Sequence, residues 1–286
     1  MKPKIFIAQP IAPAALSALE PLVEIELNAD ASRILTKAEL IEGVKKADIL
    51  LSLLPDVVDA DVLRANPNLK MVASMAIVPS SLDLATATSL KIPVTGIPAI
   101  TTAATADLAW GLMLAVARKL IPGDRGLRAG MFPGGQSMYF LGGAVTGKTL
   151  GVVGLGRIGE AVARRATGFE MEVLYVKRTR LSPEREAALG VEYAPLDDLL
   201  RRSDFVVIAA ASTPETRHMI GAAELAMMKP GAILVNIARG VLVDEKALVE
   251  ALQKGAIGGA GLDVFEREPQ VEPGLLDRDD VVLLPH

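Results

Sequence analysis

The run Val152-Val153-Gly154-Leu155-Gly156-Arg157-Ile158-Gly159 constrains the fold more than any other stretch of this chain. A β-branched pair leads into it, and small residues from Glu160 to Thr167 follow, so the segment reads as strand, tight turn and helix. Each glycine of the G-x-G-x-x-G spacing has its own task. Gly154 permits the sharp turn, Gly156 lets a pyrophosphate approach the backbone, and Gly159 lets helix and strand pack closely. The unpaired N–H groups at the helix start then face the anion.

The rest of the chain repeats this alternation. Strands are expected at Ile5 to Ala8, Val23 to Leu27, Ile49 to Leu54, Leu69 to Ala73 and Ile92 to Thr95. Ala14 to Leu22 reads as a helix, and Thr36 with Glu39 forms a capping box that starts another. Thr105 to Leu120 is the longest helical pattern. The glycine-rich residues 121–148 read as an extended connection. Strand signals restart at Thr149 to Val153 and recur at Val173 to Val176, Phe205 to Ala209, Ile233 to Asn236, Gly258 to Asp263 and Val281 to Leu284. The expectation is α/β: two Rossmann-like or flavodoxin-like doubly wound parallel-sheet domains with a cleft between them, over residues 1–100 and 101–286.

Composition narrows the function classes. With 286 residues and 51% hydrophobic content, the chain has material for two buried cores. A net charge of -4 gives no electrostatic footprint for nucleic acid or an anionic membrane. The absence of cysteine excludes disulfides, thiolate metal sites and a cysteine nucleophile, and two distant histidines imply no metal. No stretch approaches the ~18 uninterrupted apolar residues of a membrane span. The opening Met1 to Ile7 reads as a strand rather than a secretion signal, so a soluble cytoplasmic protein is expected.

A second glycine pattern, Gly142 to Thr149, matches G-x-x-x-x-G-K-T. A phosphate-binding loop of that kind must open a helix, whereas a strand pattern follows here, which argues against a nucleotide triphosphatase. The end of the strand after the Gly154 turn is more informative. An acidic residue there would bind the ribose 2′-hydroxyl of NAD. This chain has Tyr175-Val176-Lys177-Arg178-Thr179-Arg180 instead, so the cations predict NADP over NAD, with Arg178 placed to grip a 2′-phosphate.

Three later strand ends carry chemically useful groups. Asn236-Ile237-Ala238-Arg239-Gly240 ends one, Leu262-Asp263-Val264-Phe265-Glu266-Arg267-Glu268-Pro269 another, and Leu284-Pro285-His286 a third. Ligands of open α/β sheets bind at such ends. His218, in a polar turn, reads as a surface residue.

Together with the Gly154 turn and Thr213-Pro214-Glu215-Thr216, these motifs resemble the D-isomer-specific 2-hydroxyacid dehydrogenases, most closely their glyoxylate/hydroxypyruvate reductases. The likeness spans the chain and is strongest from Thr101 onward. It implies NAD(P)H-dependent reduction of a small 2-keto acid to the D-2-hydroxy acid. By this likeness Arg239 grips the substrate carboxylate, Glu268 pairs with the catalytic histidine, and His286 is the general acid/base. The same likeness assigns Gly154, Gly156, Arg157, Ile158, Gly159, Lys177, Arg178, Thr179, Ser212, Thr213, Ile237, Ala238, Asp263 and Thr105 to the cofactor. Ile77, Val78 and Arg239 fall to the substrate. It also implies a homodimer, formed through the long helix and the loop near residues 105–150.

Two features depart from the family. Its S-x-G-x-D segment falls on Ala76 to Ser80, where Val78 replaces the glycine and Ser80 the aspartate. A valine there restricts the backbone and crowds the pocket. Family chains also continue past the histidine, so residues beyond 286 are expected to complete the first domain. Two other functions fit the same motifs: oxidation of a small oxyanion such as phosphite or formate, and a corepressor-like dinucleotide sensor without turnover.

Overall fold

The computed structural model describes residues 2–76, 81–98 and 100–286. The chain divides into two compact units, Met1–Ile100 and Thr101–His286.

The first unit runs β1 (Lys4–Ile7), α1 (Pro13–Leu19), β2 (Glu24–Leu27), α2 (Lys37–Val44), β3 (Ile49–Ser52), α3 (Ala60–Arg64), β4 (Met71–Ser74), α4 (Leu84–Ser89) and β5 (Val94–Thr95). Its five strands are all parallel, in the order β2-β1-β3-β4-β5. That is the doubly wound flavodoxin-like order. The expected capping box is present: the Thr36 N–H donates to Glu39 at 2.9 Å and the Glu39 N–H to the Thr36 hydroxyl at 3.4 Å. Helix α1 stops at Leu19, short of the expected Leu22, because Pro21 cannot continue it. Strand β5 keeps only two of the four expected residues, with Pro93, which lacks a ladder donor, just before it.

The second unit begins with α5 (Thr102–Ala117) and α6 (Leu120–Arg128), followed by β6 (Thr149–Val153), α7 (Arg157–Ala166), β7 (Glu172–Val176), α8 (Pro183–Leu189), β8 (Glu192–Tyr193) and α9 (Leu196–Arg202). It closes with β9 (Phe205–Ile208), α10 (Ala222–Met227), β10 (Ile233–Asn236), α11 (Glu245–Gln253), β11 (Gly259–Leu262) and β12 (Val281–Leu283). Its seven parallel strands lie in the order β12-β11-β10-β9-β6-β7-β8. Counted from β6, this is the Rossmann order extended by one strand, and its direction reverses between β6 and β9. Helices cover both faces. Phe205 and Val207 join the core under α5 and α7, while Val206 and Ile208 join the one under α9, α10 and α11.

Two expectations are corrected in this unit. The long helix spans Thr102–Ala117 rather than residues 105–120, and it breaks where Lys119 turns left-handed at φ 53°. The connection after it is not wholly extended: α6 occupies residues 120–128 despite Gly123 and Gly126. An Asp124–Arg128 pair at 2.8 Å, one helical turn apart, supports α6. The Gly142 to Thr149 pattern does lead into a strand. The Gly143 N–H is tied to the Ala117 carbonyl at 2.8 Å, so the segment is a turn under α5. Trp110 fastens α5 to α7: its ring stacks on Phe169 at 4.6 Å, and its indole N–H donates to the Val162 carbonyl. Among the described residues no helix is long and apolar enough to cross a membrane.

A polar knot fixes the chain where it leaves β7. Tyr175 is fully buried, and its hydroxyl donates to Glu186 at 2.6 Å while accepting the Leu181 N–H. Arg180 grips Glu186 with two nitrogens, each at 2.8 Å, and lies over the Tyr193 ring. Arg180 and Tyr175 together hold the Glu186 carboxyl at about 2, against an ordinary value of 4.5. A depressed carboxyl stabilises the fold above its ordinary value, and that contribution disappears as the pH falls through the depressed one. Glu186→Gln is therefore expected to lower Tm at pH 7, with the gap to wild type narrowing towards pH 2. A gap of constant size across that range, measured by thermal melts, would remove the ionised pair as its cause.

Candidate functional site

Parallel pairing brings every strand of the second unit out at one edge of the sheet. The loops that carry the sequence motifs follow β6, β7, β9, β10, β11 and β12, so all of them leave at that edge. In doubly wound sheets ligands bind there, beside the reversal of strand order.

The three glycines after β6 meet three different surroundings. Gly154 adopts φ +96°, and a Cβ there would sit 2.5 Å from the Ala210 backbone that follows β9. A Cβ on Gly159 would run into the Gly154 carbonyl oxygen. Gly156 is exposed, and a Cβ on it would meet nothing within 4 Å. Its backbone is thus open to an incoming group, at the start of a ten-residue helix with no side-chain cap. An open peptide, free helix N–H groups and a switch-point location fit a dinucleotide's pyrophosphate. Arg157 is exposed beside it, and Ile158 is half-buried.

The cations after β7 separate into different roles. Lys177 donates to the Leu155 carbonyl at 3.1 Å and so reaches back over the glycine turn. Arg180 is committed to Glu186. Arg178 and Thr179 are exposed, and Arg178 makes no hydrogen bond or close ion pair among the described residues. Its charge contributes, after local hydrogen bonds, to holding the Glu215 carboxyl below its usual range. After β9, Ser212 and Thr213 are exposed on a loop pinned by Thr216, whose hydroxyl accepts the Thr213 N–H and donates to the Ala211 carbonyl. Thr105 lies half-buried in α5, with no hydrogen bond linking its side chain to this edge among the described residues.

The loop after β10 is shaped by Asn236, which is 1% exposed. Its amide donates to the Arg239 carbonyl at 3.0 Å and accepts the Ala238 N–H at 3.1 Å. That local clamp turns the chain, leaving Ile237 buried, Ala238 half-buried and Arg239 exposed. The Arg239 guanidinium donates to the Ala238 carbonyl at 2.6 Å and touches neither Glu268 nor His286. Gly240 comes next, and a Cβ on it would collide with the peptide joining Phe265 and Glu266. The β10 and β11 loops therefore press backbone against backbone.

Glu268 and His286 meet directly. The His286 Nδ1 lies 2.8 Å from Glu268 Oε2, and the other carboxylate oxygen accepts the Phe265 N–H at 3.0 Å. A carboxylate can only accept, so Nδ1–H is the donor and Nε2 is left for a further partner. Asp263 is buried next to them. Burial pushes its carboxyl above the ordinary value and the Glu268 charge adds to this, while the His286 ring and backbone N–H pull the other way. Ile77 and Val78 lie outside the described residues.

The sequence alone gave no structural role to two parts of this edge. Asn236 had a visible signal, an asparagine ending an apolar strand four residues before a glycine. A cluster behind the β11 loop had none, since it joins His218, Glu245 and Glu266 from three separate segments. His218 Nε2 is 2.7 Å from Glu266, Arg217 binds the same oxygen at 2.9 Å, and Glu245 accepts the Glu266 N–H at 2.6 Å.

Comparison with known proteins shows the family of this chain. A model of the D-isomer specific 2-hydroxyacid dehydrogenase NAD binding domain matches residues 110–286. The chain is 47% identical over 290 residues to a glyoxylate reductase of Thermococcus onnurineus, covering 100% of this chain and 86% of that one. A glyoxylate reductase of Pyrococcus furiosus is 46% identical with the same coverage. The crystal structure of a glyoxylate reductase from Paecilomyes thermophila superposes with a TM-score of 0.83 at 35% identity, covering 100% of this chain and 88% of that one. With a matching domain model over most of its length and relatives nearly half identical across all of it, the chain belongs to the D-isomer specific 2-hydroxyacid dehydrogenases and is an oxidoreductase.

Proposed function

We propose that this enzyme reduces a small 2-keto acid of the glyoxylate or hydroxypyruvate type to the D-2-hydroxy acid, with NADPH preferred over NADH. The observation that carries this function is the 2.8 Å contact between His286 and Glu268, one strand away from the loop bearing Arg239. The relatives named glyoxylate reductase support the substrate class.

Each residue then has a chemical task. Arg239 offers a planar fork to the substrate carboxylate. Glu268 orients the imidazole through Nδ1–H, so that Nε2 carries the proton delivered to the keto oxygen. A bound nicotinamide supplies the hydride that completes the reduction at the carbonyl carbon. Gly154, Gly156 and Gly159, with Arg157 and Ile158, hold the pyrophosphate turn. Ser212, Thr213, Ile237, Ala238 and Thr105 line the remainder of the dinucleotide, and Asp263 takes the carboxamide.

The segment after β7 favours NADPH. It has no carboxylate to bind a 2′-hydroxyl, and Arg178 is an exposed cation with Lys177 and Thr179 on either side. A homodimer is supported by the segment after α5. There Leu127, Met131, Phe132, Met138 and Leu141 are all exposed, Met138 at 80%. So many large apolar side chains on one stretch mark an association surface. Dependence on the dinucleotide pool suits a cytoplasmic enzyme.

Three measurements check these assignments. Mixing the protein with NADPH and glyoxylate, hydroxypyruvate or pyruvate should consume the reduced cofactor. Binding of NADPH without turnover of any keto acid would favour a sensor instead. Against that baseline, His286→Ala should lower kcat by about 10²–10⁴-fold, and Arg239→Ala should raise KM and lower kcat together. Arg178→Ala should weaken NADPH by about 10- to 100-fold, the equivalent of ~1.5–3 kcal/mol for a charged hydrogen bond, and leave NADH unchanged. An equal loss for both cofactors would dismiss the phosphate contact. Phe132→Asp should shift the protein to monomer in light scattering, and an unaltered mass would exclude this segment as the interface.

A further inference from the structure

Four carboxylates are buried among the described residues: Asp56, Glu186, Glu245 and Asp263. Asp56 binds Gln9 and the Leu53 N–H in the first unit, Glu186 holds the Arg180 knot, and Asp263 belongs to the candidate site. Glu245 has no task in the hydride or proton transfer. It opens α11, is 4% exposed, and accepts the Glu266 N–H at 2.6 Å.

That N–H belongs to a particular peptide. The bond between Phe265 and Glu266 is the place where the Gly240 backbone presses on the β11 loop. Its N–H is held by Glu245, and the neighbouring Phe265 N–H is held by Glu268 itself. The Glu266 side chain is occupied on the opposite errand, accepting from His218 and Arg217. Two carboxylates thus fix two consecutive backbone donors, and one of the two is the partner of His286.

We propose that Glu245 is a positioning residue for the reduction. By gripping the Phe265–Glu266 peptide it sets the register of Glu268, and so of His286, against the loop that carries Arg239. This rests on the roles proposed above for Glu268 and His286.

The physical cost makes an incidental role a poor explanation. Burial pushes the Glu245 carboxyl up; its bond from the Glu266 N–H pulls it down, the Glu266 and Glu272 charges raise it further, and Arg267 lowers it. A well-packed apolar side chain would stabilise the fold as well or better than such a buried charge. What a carboxylate adds is a short, directional, charge-assisted acceptor. Its place in the first turn of α11 offsets part of the desolvation.

The test compares E245A, E245Q, E268Q and the E245A/E268Q double variant of the whole protein. Glutamine keeps an acceptor oxygen and alanine does not. In steady-state reduction of glyoxylate by NADPH, E245A should lower kcat about tenfold with the KM for NADPH within twofold. E245Q should recover most of that loss. On the E268Q background, E245A should cost little more, because both act through one group. In the protein without cofactor, amide exchange across residues 264–268 should speed up in E245A and not in E245Q. The inference is overturned by a folded E245A with wild-type kcat, by E245Q as impaired as E245A, or by full additivity in the double variant. If E245A does not fold, E245Q and the exchange data decide: slow exchange with wild-type-like kcat supports the positioning role, and fast exchange with undiminished kcat ends it. An E268Q enzyme with wild-type kcat would instead overturn the roles of Glu268 and His286, a separate failure.

Discussion

Parallel strand pairing governs the rest of this molecule. An antiparallel sheet returns the chain at alternate edges, so residues from successive strands face opposite ways. Here all seven strands of the second unit run together, and groups from Gly154 to His286 leave at one side. Each return path then requires a helix, and the helices bury the sheet on both faces, as the divided cores show. Crowding at the shared edge is the consequence. Where neighbouring loops touch, side chains no longer fit, and Gly154 against Ala210 and Gly240 against the Phe265–Glu266 peptide are the two clearest contacts. The glycine pattern is therefore a record of backbone proximity as much as of ligand binding.

That dual meaning explains how far the chain alone could be read. Local features were legible because their physics is local: the Gly154 turn, the Thr36–Glu39 capping box and the alternation of strand and helix all depend on residues within a few positions. Helix α6 was not, because Gly123 and Gly126 argue against a helix and the Asp124–Arg128 pair, one turn apart, is a weak exposed signal in its favour. The cations after β7 illustrate a subtler limit. Lys177, Arg178 and Arg180 look alike in sequence, yet Arg180 is consumed by Glu186 and Lys177 reaches the Leu155 carbonyl, and only tertiary packing separates them from Arg178. The Glu245–Glu266–His218 cluster was invisible for the same reason: its members lie on separate segments and meet only in the fold.

Strand-end loops lose their ladder partners, so their backbone groups must be satisfied by other means. At this edge side chains supply the bonds. Asn236 clamps residues 238 and 239, Thr216 ties residues 211 and 213, and Glu245 and Glu268 take the N–H groups of residues 266 and 265. Glu268 stands out because its two oxygens do different jobs. One holds the loop and the other holds the imidazole, so Glu268 links His286 to the backbone at Phe265. A carboxylate suits that double duty better than an amide, which has one acceptor oxygen and would turn a donor towards one of the two N–H groups. The same carboxylate that faces the histidine is thus part of the loop's own hydrogen bonding, and neither contact can be altered separately at this residue.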